Sequence, residues 1–79
     1  MSKCTLKHLG TAYVLMQESL QGHPVHRYLA VGHLVEAARE CGDAGFAADI
    51  RECWNLLLTE EGNLDMVMRL LIHESGQET

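Results

Sequence analysis

The chain has 79 residues, of which 47% are hydrophobic and 22% are charged, and this composition excludes an intrinsically disordered protein. Its net charge of −5 leaves no run of Lys or Arg to neutralise phosphates, so nucleic acids and anionic membranes are poor partners. A chain of this size lies near the lower limit for a self-sufficient hydrophobic core, so we expect it to associate with itself.

The cysteine content and the N-terminal sequence predict a cytoplasmic protein. There are 3 cysteines, an odd number, and the first residues lack the apolar stretch of a signal peptide. The longest nearly apolar run, between Leu64 and Ile72, is much shorter than the ~20 residues that span a bilayer. We therefore expect a reducing compartment and no membrane-spanning segment.

The first predicted helix covers residues 5–21. Its apolar residues recur at steps of three and four, which is typical of one face of an amphipathic helix. The residues expected to face the core are Leu6, Leu9, Tyr13, Met16 and Leu20. Gly22 follows at the position where a glycine commonly ends a helix.

The second predicted helix covers residues 24–41. Pro24 suits its first turn, where the missing N–H is not needed. The residues expected to face the core are Tyr28, Val31, Leu34, Val35, Ala38 and Cys41. Gly42 is predicted to end this helix in the left-handed conformation.

The third predicted helix, residues 44–59, is the expected centre of the protein because it holds the only Trp and the only Phe of the chain. Asp43 is predicted to cap its N-terminus. The wide apolar face comprises Phe46, Ala47, Ile50, Cys53, Trp54, Leu57 and Leu58.

The fourth predicted helix covers residues 64–75, is capped by Asn63 and is followed by a flexible tail, residues 76–79. Asp65, Arg69 and His73 form one narrow polar stripe, and most of the remaining surface is apolar. A monomer of this size can hardly cover such a helix on all sides. We therefore interpret the uncovered apolar surface of the fourth helix as a contact surface. Its expected anchors are Met66, Leu70 and His73.

These elements predict an all-α fold, a small bundle of four short helices packed as two antiparallel helical hairpins. Residues 1–79 form one helical domain. The connections are short and carry no low-complexity linker, which favours helices that pack against their neighbours in sequence.

Catalysis, a cofactor and a metal are not expected. The sequence has no glycine-rich phosphate loop, no nucleophile elbow and no HExxH motif, and so small a bundle has little room for a pocket of several hundred Å³. Cys4, His8, His23 and His26 are the least implausible metal ligands, but they lack the paired spacing of zinc sites.

The function that fits best is a small acidic protein–protein interaction module, an adaptor or inhibitor that acts by surface binding to another protein and to itself. The first alternative is a dimeric helix-turn-helix regulator that binds DNA, suggested by the Ala38-to-Gly42 spacing between helices two and three. The third helix, however, offers Asp49 and Glu52 against only Arg51. The second alternative is a His/Cys metal-binding protein.

Overall fold

Four helices account for most of the residues that the structure describes. The computed structural model describes residues 3–59 and 64–77, which contain no β-strand. The helices are α1 (Lys3–Leu20), α2 (His26–Glu40), α3 (Ala44–Leu58) and α4 (Leu64–Gln77). The predicted all-α bundle of four short helices is confirmed.

The hairpin of α1 and α2 is antiparallel and has the largest helix–helix interface. His8 in α1 contacts His33 in α2, whereas Glu18, ten residues further along α1, contacts His26, seven residues earlier in α2. This opposite order of contacts shows that the two helices run in opposite directions.

The later helices also run antiparallel to their neighbours in sequence, but their packing is unequal. The Arg27 side chain near the start of α2 donates to the carbonyl of Leu57 near the end of α3. Phe46 near the start of α3 contacts His73 near the end of α4. α4 packs mainly against α1 and touches α3 only lightly. The hairpin of α3 and α4 is therefore less tightly packed than the hairpin of α1 and α2.

The two helix ends that were assigned to glycines differ. Gly22 has a φ of 113°, and the N–H of His23 donates to the carbonyl of Glu18 at 3.1 Å, so α1 ends with a left-handed glycine as predicted. The prediction for Gly42 is wrong, since Gly22 is the only glycine with a positive φ among the described residues. The chain instead leaves α2 through Cys41, whose φ of −75° and ψ of 125° are extended.

Three other boundaries differ from the predicted ones by two residues, and the first is the start of α1, which lies at Lys3 instead of residue 5. α2 begins at His26, because Pro24 and Val25 form a tight turn in which the N–H of Arg27 donates to the carbonyl of Pro24 at 3.2 Å. α4 continues to Gln77, so the first two residues of the predicted flexible tail are helical. The predicted Asn63 cap and residues 78–79 lie outside the described residues.

The core of α1 and α2 uses smaller residues than the sequence suggested. α1 buries Thr5, Leu9, Ala12 and Met16, and α2 buries Ala30, Leu34, Ala37 and Ala38. Leu20 and Tyr28, both predicted to face the core, are 68% and 64% exposed. Alanines at the contact allow two helix backbones to approach closely, which leaves larger neighbouring side chains outside the interface.

The core predictions for α3 and α4 are more accurate. α3 buries Phe46, Ala47, Ile50, Cys53 and Leu57, whereas Trp54 is half-buried and Leu58 is 48% exposed. Among the apolar side chains described in α4, only Ile72 is mostly exposed, at 63%. Glu74 is fully buried, which the sequence did not indicate. Most of the exposed large apolar side chains therefore lie outside α4.

Candidate functional site

A groove of about 370 Å³ lies between α3 and α4. α3 contributes Phe46, Asp49, Glu52, Cys53 and Leu56. α4 contributes Met66, Arg69, Leu70 and His73. The groove exists because α4 is held mainly by α1 and not by α3. The expectation that so small a bundle has little room for a pocket of several hundred Å³ is therefore wrong.

The N-terminal cap of α3 fixes one end of the groove. The Asp43 Oδ1 atom accepts hydrogen bonds from the N–H groups of Gly45 at 2.9 Å and Phe46 at 3.1 Å. These two amides have no partner within the helix, so the carboxylate supplies what the first turn lacks. The predicted Asp43 cap is confirmed. It holds the backbone of Phe46, the first residue of the groove floor.

The floor of the groove is apolar. Phe46, Cys53 and Leu70 are buried, and Leu56 and Met66 are half-buried beside them. At one end, the ring of His73 lies against the ring of Phe46, with centroids 4.5 Å apart and planes tilted by 33°. His73 is itself exposed, so its imidazole covers the aromatic ring from the solvent side.

The groove follows the direction of the helices. Its α3 wall extends from Phe46 to Leu56, a rise of about 15 Å along the helix. Its α4 wall extends from Met66 to His73, about two turns. The cleft is therefore elongated, with a length close to that of a helical segment of two to three turns.

The two rims of the groove carry opposite charge. On the α3 rim, Asp49 and Glu52 are exposed one turn apart. On the α4 rim, Arg69 is exposed and His73 follows one turn later. A ligand in the groove would meet acidic groups on one flank and a basic group on the other, which fixes its orientation.

Cys53 lies in the floor, and its burial makes it unreactive. The side chain is only 5% exposed. Desolvation of the thiolate raises the pKa of Cys53 from 9.0 to about 11. The thiolate is the nucleophile in cysteine chemistry, so at neutral pH this thiol acts as a small apolar side chain.

The three residues predicted as contact anchors all line this groove, but they differ in exposure. Met66 is half-buried and His73 is exposed. Leu70 is only 7% exposed, so it belongs to the intramolecular core and not to a free face of α4. Leu70 lies one turn before His73, in the floor of the groove. A ligand would contact only the small exposed part of its side chain.

Sequence reasoning did not find the share of α3 in this site. Asp49, Glu52 and Leu56 are not part of the predicted apolar face of the third helix. The available signal was their spacing, since residues 49, 52, 53 and 56 form a second stripe beside the core stripe. The helix that lies beside this second stripe cannot be identified from the spacing alone.

The candidate metal ligands His8, His23 and His26 fall into two separate groups, and the side chain of the fourth candidate, Cys4, is not among those described. His8 contacts His33, a residue that was not among the candidates. His23 stacks on His26, with ring centroids 5.1 Å apart, and the Nδ1 atom of His26 lies 3.2 Å from Glu18 Oε1. Among the described residues, no group of three His, Cys, Asp or Glu side chains is placed to hold a metal ion.

The His8–His33 contact has the geometry of a hydrogen bond. The Nδ1 atoms lie 3.0 Å apart and the ring centroids 5.3 Å apart. The difference is about the width of one imidazole ring, so both nitrogens lie close to the line that joins the two centroids. The two nitrogens therefore point at each other, as in an N–H···N hydrogen bond with one donor and one acceptor. Metal ligands instead converge on a point about 2.0–2.1 Å from each nitrogen.

None of the described helices combines the length and the apolarity needed to cross a membrane. No protein-family model, curated protein or solved structure matches the chain.

Proposed function

We propose that this protein is an interaction module that binds an amphipathic helix of another protein in the groove between α3 and α4. The shape of the groove carries the proposal. It is an open cleft between two helices, about 15 Å long on its α3 side, with an apolar floor. Amphipathic helices commonly bind proteins by placing an apolar face in such a groove.

The chemistry of the walls specifies the ligand further. A bound helix would place large apolar side chains at positions i, i+3 or i+4, and i+7 along the groove, where Leu56 and Met66 are the apolar side chains within reach. Basic residues on its α3 flank would face Asp49 and Glu52. The action is surface occlusion or scaffolding, which fits an adaptor or an inhibitor.

Charge favours a protein ligand over DNA. If α2 and α3 acted as a helix-turn-helix, α3 would enter the major groove of DNA. Its exposed face carries Asp49 and Glu52 against Arg51, so it would bring net negative charge to the phosphates. We also propose a reducing compartment, since Cys41 and Cys53 are free thiols.

The proposal can be tested before the partner is identified. A library of displayed helical peptides, randomised on one face, would be selected on the purified protein. We expect the selected peptides to share three apolar positions on one face and basic residues on one flank. Binding should weaken at least tenfold in Met66→Glu, because a buried charge would replace apolar contact in the wall.

Ile72→Glu is the matched control, because it makes the same change on the same helix at a site that is 63% exposed and outside the groove. This variant should bind the selected peptides as the unmodified protein does. Circular dichroism would establish that both variants keep their helical content. Equal affinity of the Met66→Glu variant and the unmodified protein for the peptides would refute the proposal.

A further inference from the structure

Histidine takes part in both side-chain hydrogen bonds that join α1 to α2 in the described part of the chain. The Nδ1 atom of His8 lies 3.0 Å from that of His33. The Nδ1 atom of His26 lies 3.2 Å from Glu18 Oε1. His26 and His33 are seven residues apart, so they occupy one face of α2, two turns from each other. Because imidazole is the side chain that ordinarily changes charge between about pH 5 and pH 8, both contacts depend on protons.

Protonation of both rings breaks the His8–His33 contact. With neutral rings, one Nδ1 atom carries a proton and donates it, and the other Nδ1 atom accepts. One added proton can bind the Nε2 atom of the donor ring, which gives the hydrogen bond an ionised donor. A second added proton must bind the accepting Nδ1 atom. Two N–H groups and two positive charges then face each other, so the hydrogen bond is lost.

Protonation has the opposite effect on the Glu18–His26 contact. A carboxylate only accepts hydrogen bonds, so neutral His26 can donate to it in one of its two tautomers. The imidazolium carries a proton on both nitrogens and adds a positive charge, so the hydrogen bond becomes an ion pair. The side chains of His26 and Glu18 are 32% and 43% exposed, so this gain is small.

We propose that the α1–α2 hairpin is a proton-sensitive device whose two histidine contacts respond in opposite directions. Acid weakens the hairpin at the His8–His33 contact and strengthens it at the Glu18–His26 contact. α4 packs mainly against α1, so a weaker start of α1 lowers the stability of the whole bundle. This inference goes beyond helix binding by the groove and does not depend on it.

Two glycines lower the helix propensity beside the His8–His33 contact. Gly10 lies two residues after His8 in α1, and Gly32 directly precedes His33 in α2. A Cβ atom at either glycine would have no packing neighbour within 4 Å, so close approach of another helix does not require them. Glycine is the poorest helix former after proline. Both helices are therefore intrinsically weak at the level where acid breaks their contact.

The charged groups on α1 and α2 do not offset this loss. Lys7, exposed next to His8, repels an added proton. Glu36 follows His33 by one turn, and its Oε1 atom lies 3.3 Å from Arg39 Nη1, so this carboxylate is already paired. Among the described residues, no carboxylate forms a hydrogen bond or an ion pair with either ring of the His8–His33 contact.

The other two helices place one further carboxyl group near this contact. Since neighbours in sequence run antiparallel, the end of α4 lies by the start of α1, and the buried Glu74 belongs to that end. If ionised, it favours the first added proton as much as the second. Arg69 and His73 of α4 line the groove beside α3. The charged side chains within α3 are exposed, namely Asp49, Arg51 and Glu52.

The charges near the Glu18–His26 contact act in both directions. His23 stacks on His26 with ring centroids 5.1 Å apart, so protonation of one ring opposes that of the other. Arg27 follows His26 and binds a backbone carbonyl of α3. Asp65, exposed at the start of α4, attracts the imidazolium. The gain at this contact is therefore smaller than the loss at the His8–His33 contact.

The test is the change in the unfolding equilibrium constant from about pH 8 to about pH 5.5, measured by urea unfolding in dilute solution. The unfolded chain takes up both protons at His8 and His33, whereas the folded chain resists the second, so stability falls with the pH. In His33→Gln, the amide can still bond to His8 but takes up no proton. The constant should rise about fivefold more in the unmodified protein than in His33→Gln, the factor that corresponds to one lost hydrogen bond.

His26→Gln is the matched control, because it removes a titrating ring from the same face of α2. Here the sign is reversed, and the constant should rise about twofold less in the unmodified protein than in the variant. A purely structural effect of either substitution acts at both pH values and cancels. His8→Gln provides the same test from α1 if His33→Gln does not fold. Equal rises in the unmodified protein and His33→Gln would overturn the proposal, and so would differences of the same sign for His33→Gln and His26→Gln.

Discussion

The ionisation of Cys53 should make the protein less stable as the pH rises above 9. The pKa of this thiol is raised from 9.0 in the unfolded chain to about 11 by burial. The folded state therefore holds the proton more tightly than the unfolded state does. The resulting stabilisation is fully present below about pH 9 and is lost as the pH rises towards about 11.

The size of this effect follows from the two pKa values. A shift of two units corresponds to at most about 2.7 kcal/mol, and about 2 kcal/mol of it should be lost between pH 8 and pH 10.5. Urea unfolding at these two pH values, followed by the fluorescence of Trp54, measures the loss. Trp54 is the only tryptophan and is half-buried beside the core.

The comparison that isolates Cys53 is the variant Cys53→Ala. Other groups also titrate in this range, but they do so in both proteins, and their contribution cancels in the difference. The variant should be less stable than the unmodified protein at pH 8, since it loses buried apolar contact. Its stability should fall by about 2 kcal/mol less than that of the unmodified protein over the same interval. Equal falls in the two proteins would refute the desolvation argument.

Two further predictions concern the residues that shape the groove. Asp43→Ala should lower the free energy of unfolding by about 1 kcal/mol and Asp43→Asn by much less, because Asn also caps helices well; equal losses in urea unfolding would contradict the role of the cap. Leu70→Ala should cost about 2–5 kcal/mol, whereas Ile72→Ala should cost less than about 0.5 kcal/mol, since only Leu70 is buried. Similar losses at the two positions in thermal or urea unfolding would contradict the assignment of Leu70 to the core.

The number and type of the elements could be predicted from the sequence because the signals for them are local. The Asp43 cap, the glycine at position 22 and the apolar face of the third helix each depend on residues within a few turns. The error at Gly42 is also local in origin. A glycine permits a left-handed helix end but does not require it, and here the extended Cys41 makes the turn.

The packing could not be predicted to the same degree, because it depends on which helices meet. Hydrophobicity predicts that Leu20 and Tyr28 face the core, yet both are exposed, and the buried positions of α1 and α2 include four alanines. The preference for small side chains there depends on the distance between two backbones, which the sequence of one helix does not state. The pairing of His8 with His33, 25 residues apart, is hidden for the same reason.

The unequal packing of the four helices connects the fold to the proposed binding site. α1 and α2 form the most extensive helix–helix contact among the described residues, and their buried positions include four alanines. α4 packs against this pair through α1 and contacts α3 only lightly. The groove near Phe46 and Leu70 therefore stays partly open. We expect a helix with few contacts to one of its neighbours to have a lower local stability than better-packed helices, and elements that accept ligands are commonly of this kind. A bound helix between α3 and α4 would complete the packing on the open side of α4, so binding and stability of this helix should increase together.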